Sequence, residues 1–97
     1  MGFLFRRPAT RQVADLLRHT GPARCLAAVT TLQALIKDPA AIPAAWERIE
    51  LPLVRDLPDC PPPTKAPLRR TLEDCAQACR NREIARRIMV VRDSLLP

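Results

Sequence analysis

CRNREIARR, residues 79–87, joins two apolar repeats that are out of step. Upstream, Leu68, Leu72, Cys75 and Cys79 share one helical face, flanked by Ala76. Downstream, Ile84, Ile88, Val91 and Leu95 share another, flanked by Ala85. At about 100° per residue, a step of three or four positions holds the phase, and Cys79 to Ile84 is longer than that. The two stripe centres differ by roughly 170° on a straight rod. Two arrangements satisfy the pattern. In one, the helix breaks near Asn81, an acceptable N-cap for a helix opening Arg82-Glu83. In the other, a single rod of about 43 Å gives each half a different partner, such as its own subunit and a second one. A rod of that length exceeds what so small a domain needs, so the spacing predicts a break or strong kink, although neither Gly nor Pro marks one between Leu68 and Leu96. Either arrangement implies apolar surface that seeks a partner.

The rest of the chain points to helices as well. It has 97 residues, 47 % hydrophobic and 27 % charged, a composition that can bury a thin core in one domain spanning 1–97. Aromatic residues are restricted to Phe3, Phe5 and Trp46. The core therefore rests on Leu, Ile, Val and Ala, without the β-branched runs of strands. Only Gly2 and Gly21 are available for tight turns, too few for a protein of hairpins. The expected fold is all-α: a small antiparallel bundle of four to five helices.

Residues 1–8 read as an arm, the apolar Phe3-Leu4-Phe5 followed by Arg6-Arg7-Pro8. Helix 9–19 follows, with Val13, Leu16 and Leu17 inward. Gly21 closes it, and Pro22 opens helix 22–37 with Thr20 or Gly21 as the cap. In that helix Cys25, Val29, Leu32 and Ile36 form a stripe widened by Leu26, Ala28 and Leu35. A third helix, 43–50, carries Ile42, Trp46, Ile49, Leu53 and Leu57 in register. Pro52 should end it near Glu50, leaving a kink or a short further turn to about 57. Residues 58–67, PDCPPPTKAP, read as a stiff extended connector. Helices 67–80 and 82–95 complete the chain. Pro58-x-x-Pro61 lacks the neighbouring basic residue that a polyproline ligand would bring.

Four cysteines, Cys25, Cys60, Cys75 and Cys79, fall largely on core stripes. Free cysteine is among the most buried residue types, so packing is the expected role. Zinc would need Cys75 and Cys79 joined by Cys60, Cys25 or His19. His19 is the sole histidine, at a predicted helix end, and its spacing from Cys25 matches no nucleophile arrangement. Phosphate loops, metalloprotease signatures and hydrolase elbows are missing. No catalytic residue, metal ligand or cofactor is expected.

Sixteen basic residues, fourteen of them Arg, outweigh ten acids, and basic ends flank an acidic middle. Arg80, Arg82, Arg86 and Arg87 form the densest basic run, interleaved with Glu83 and lacking aromatics for base stacking. The expected function is protein–protein interaction, as an adaptor, an assembly or secretion chaperone, or a regulatory subunit. Its expected contacts are Phe3, Leu4, Phe5, Ile84, Ile88, Val91 and Leu95, with another protein or a second copy as partner. The alternative is a module binding nucleic acid or an anionic surface through Arg80, Arg82, Arg86 and Arg87. With no transmembrane segment and no secretory leader in view, the cytoplasm is the expected location. The Arg-rich N-terminus offers mitochondrial targeting as the alternative.

Overall fold

Asn81 is where the chain solves its phase problem. The computed structural model describes residues 8–95, which form five α-helices and no strand among the described residues. They are α1 (Pro8–Arg18), α2 (Gly21–Ile36), α3 (Ile42–Asp56), α4 (Pro62–Ala78) and α5 (Arg82–Asp93), with short 3₁₀ turns at Pro39–Ala41 and Leu57–Asp59. α4 stops at Ala78, and Cys79 turns extended, with φ −77° and ψ 127°. The Asn81 side chain then accepts the Ile84 N–H at 3.1 Å, capping α5. This link lets α5 turn back against α4, where Arg92 Nη1 reaches Glu73 Oε2 at 2.8 Å.

Both stripes are thereby covered inside one chain. Leu68, Leu72, Cys75 and Cys79 are buried, and so are Ile84, Ile88, Val91 and Leu95. The apolar surface expected to seek a partner here is spent on the core, because the break reorients the second stripe towards the first.

α2 lies at the centre and packs on α1, α3 and α4. Its buried arc holds Arg24, Cys25, Ala28, Thr31, Leu32 and Leu35. Val29 and Ile36 are only partly covered, and Leu26 is 63 % exposed. The arc is turned about 70° from the expected stripe. Polar anchors explain the turn. Thr31 Oγ1 lies 3.0 Å from the Gln12 carbonyl of α1, and Arg24 binds the end of α1. α3 follows its predicted stripe: Ile42, Trp46, Ile49 and Leu53 are fully enclosed, and Leu57 nearly so.

The prolines do less damage than expected. α3 continues through Pro52 to Asp56 instead of ending near Glu50. An internal proline costs about 3 kcal/mol, but burying Leu53 and Leu57 beyond it returns about 1.5–3 kcal/mol each. Nor is 58–67 an extended connector. Only Cys60 and Pro61 are extended, and α4 already begins at Pro62. Pro62 and Pro63 occupy the first turn, whose N–H groups would lack helical partners in any case. Pro67 lies inside the helix, where Leu68, Thr71 and Leu72 are drawn into the core.

Candidate functional site

Two buried or half-buried charge centres organise the helices. The guanidinium of Arg24, on α2, is held by backbone. Its Nε donates to the Leu16 carbonyl at 3.2 Å and its Nη2 to the Leu17 carbonyl at 3.1 Å, closing the last turn of α1. Its Nη1 donates to the Pro52 carbonyl at 3.3 Å and to Asp56 Oδ2 at 3.1 Å. The same carboxylate oxygen accepts the Gly21 N–H at 3.0 Å. Gly21 has φ +60°, a left-handed conformation that other residues adopt at a cost, and this turn aims its N–H at Asp56. One ion pair thus ties the end of α1, the start of α2 and the end of α3.

Arg87, on α5, makes the second centre on the outside of α3. Its Nη2 donates to Glu47 Oε1 at 3.1 Å and to Glu50 Oε1, and its Nε donates to Glu50 Oε1 at 3.1 Å. These carboxylates push the guanidinium proton affinity further up, the Glu50 hydrogen bonds contributing most. The acidic middle of the sequence and its basic end meet at this point.

Arg87 marks one end of a seam between α3 and α5. At the other end Val54, Leu57 and Pro58 face Ser94 and Leu95 across a cleft of about 290 Å³. Along α3, Leu51 follows Glu47 by one turn and Val54 follows Glu50 by one turn; along α5, Val90 lies three positions beyond Arg87. Three of the large apolar side chains exposed among the described residues stand on α3 and α5, Leu51 (74 %), Val54 (43 %) and Val90 (63 %); a fourth, Leu26, lies on α2. All three stand off their own helix's buried stripe. That was a sequence signal, since an apolar residue outside an otherwise regular stripe has no core to enter.

The residues singled out from the sequence distribute differently. Phe3, Leu4 and Phe5 lie outside the described residues. Ile84, Ile88, Val91 and Leu95 are 4 %, 0 %, 3 % and 4 % exposed. Their expected role as a contact surface is therefore corrected: they are interior packing, and the contact candidates on α5 are on its other side. Arg80, Arg82 and Arg86 are exposed, and no described carboxylate forms an ion pair with them. Arg82 and Arg86 edge an open groove of about 420 Å³ floored by Ala76, Cys79, Ala85 and Met89. Arg87 is separated from that run by its carboxylate partners.

All four cysteines are buried and free. The Cys25 thiol donates to the Asp56 carbonyl at 3.3 Å, and the Cys60 thiol to the Pro61 carbonyl at 3.8 Å. Burial, then the Cys60 neighbour, pushes Cys25 up to about 12; burial and Cys79 do the same for Cys75. Such thiols stay protonated and unreactive at neutral pH. His19 places Nδ1 2.8 Å from the Asp15 carbonyl. Among the described residues, no three His, Cys, Asp or Glu side chains converge as a metal site. No described helix is long and apolar enough to cross a membrane. No protein family, curated protein or solved structure matches the chain.

Proposed function

We propose that this chain is a non-catalytic protein–protein interaction module, of the adaptor, assembly-chaperone or regulatory-subunit kind, and that the α3–α5 seam is its contact face. The observation that carries this reading is that Leu51, Val54 and Val90, three of the four large apolar side chains exposed among the described residues, all stand on α3 and α5, the two helices tied by the Arg87 ion pairs. A cluster of exposed apolar side chains in a polar frame is what an interface core requires. Helices hold the seam rigidly, so little ordering entropy opposes binding.

The test is a photo-crosslinking amino acid placed singly at Leu51, at Val90 and, as control, at Gln33, an exposed position on α2. In native extract, Leu51 and Val90 should give a discrete adduct that excess unlabelled chain competes away and that Val54→Asp abolishes. Gln33 should give none. Equal labelling from all three positions would overturn the reading.

One observation favours a second reading. Arg80, Arg82 and Arg86 stand exposed without carboxylate partners, as a surface for nucleic acid or anionic membrane would. Binding of a single-stranded RNA probe that weakens steeply with salt, and is lost in Arg82→Glu/Arg86→Glu, would support it.

A further inference from the structure

The outer row of α3 reads Glu47, Leu51, Arg55, three exposed positions spaced one helical turn apart. An acid and a base stand symmetrically about an apolar centre. Such a row is its own complement. Rotate a second α3 by 180° about an axis through Leu51, and the two leucines meet while each Glu47 faces the other chain's Arg55. That is the requirement of an isologous interface, in which the same patch serves both subunits.

We infer that the occupant of the α3–α5 seam is a second copy of this chain, paired by α3 against α3 with Leu51 on the two-fold axis. The inference rests on the interaction reading above and specifies its partner. Leu51 is 74 % exposed, so contact between the two copies removes nearly a whole leucine side chain from water on each side. Val54, 43 % exposed and one turn on from Leu51, extends the apolar centre along α3, and Val90, 63 % exposed, adds an apolar position on α5. Arg87 donates to both Glu47 oxygens, at 3.1 and 3.4 Å, and the Glu47 side chain is still 59 % exposed, so the internal ion pair orients the carboxylate while leaving it accessible to a second chain. Arg55 makes no ion pair with any described carboxylate, which leaves its guanidinium available across the axis. Opposite charges at the ends and leucine at the centre fix both register and direction, since a parallel pairing would set like charges together.

The experiment is a charge-swap pairing of the full-length chain, read by sedimentation equilibrium. At tens of micromolar, the wild type should weigh twice the 10.9 kDa chain. Arg55→Glu makes the row acidic at both ends, and Glu47→Lys makes it basic at both ends. Each variant alone should self-associate at least about tenfold more weakly. An equimolar mixture should recover the dimer, because every contact across the axis is again opposite in sign. Circular dichroism confirms that each variant is folded. A wild-type monomer at these concentrations overturns the inference. So does a dimer that the single variants leave intact, or a mixture that stays monomeric. If the crosslinker at Leu51 then captures a competed adduct of another mass, the seam is still a contact face and only the choice of partner has failed.

Discussion

Arg24 and Arg87 are the same residue in two kinds of ion pair, and the contrast shows how this small bundle divides its charges. Arg24 and Asp56 have side chains only 8 % and 13 % exposed. Most of the Arg24 donors go to carbonyls, so the buried charge is neutralised by one carboxylate and solvated by backbone. Removing one partner of such a pair strands the other in a medium that cannot solvate it. Arg87 is 35 % exposed and its partners Glu47 and Glu50 are 59 % and 19 % exposed. Water replaces what either partner loses, and salt screens their attraction. The first pair holds helices together; the second trims the edge of a seam.

The comparison breaks most readily at its strong end. Arg24→Met should lower unfolding free energy by about 3–5 kcal/mol in urea melts, because Asp56 and two carbonyls ending α1 lose their donor. A loss as small as that of an exposed residue would show that water reaches Arg24. Ile88→Ala should cost about 2–5 kcal/mol. That result identifies the second stripe as interior, whereas a residue merely awaiting a partner would leave the lone chain's stability nearly unchanged.

Alkali probes burial by a different route. Cys25 and Cys75 are pushed up to about 12 from an ordinary value of 9.0, chiefly by burial. The folded chain then holds these protons more tightly than the unfolded chain does. Their contribution to stability is complete below about pH 9 and is lost as pH rises towards about 12. Wild-type urea midpoints should fall between pH 8.5 and 10.5, and a Cys25→Ala/Cys75→Ala variant should show a shallower fall. Asn81→Ala should cost about 1 kcal/mol, the usual worth of a helix cap. It should also speed hydrogen exchange at Ile84, whose N–H the side chain accepts. Arg87→Ala completes the series with the smallest change in melting temperature, one that shrinks further in high salt. If Arg87→Ala matched Arg24→Met, the division between buried and exposed pairs would collapse.

Much of this was legible in the residues. The α3 stripe from Ile42 to Leu57 is inward as spaced, and the slip between Cys79 and Ile84 located the break to within the Asn81 cap. Periodicity reports such features because each residue's direction follows from its neighbours along the helix. Other features depend on distant parts of the chain. Nothing near Arg24 says that it will meet Leu16, Leu17, Pro52 and Asp56, and those contacts are part of what turns α2 away from its expected face. Pro52 and Pro67 carry local costs that tertiary burial offsets, so local rules ended one helix early and began another late. The proposed contact face was half visible: Leu51, Val54 and Val90 stand off their stripes, but only the fold showed that they remain exposed.

Trp46 gives this chain an unusual optical simplicity. The sequence contains no tyrosine, so near-ultraviolet absorption and intrinsic fluorescence come almost wholly from one indole. That indole is sealed from solvent, and its N–H has no hydrogen-bond acceptor among the described residues. Its emission should therefore lie at the blue extreme for tryptophan and move red when α3 separates from the other helices. A single dye-free signal thus reads the integrity of the bundle from its centre, on the face of α3 opposite the one where Leu51 and Arg55 would be altered.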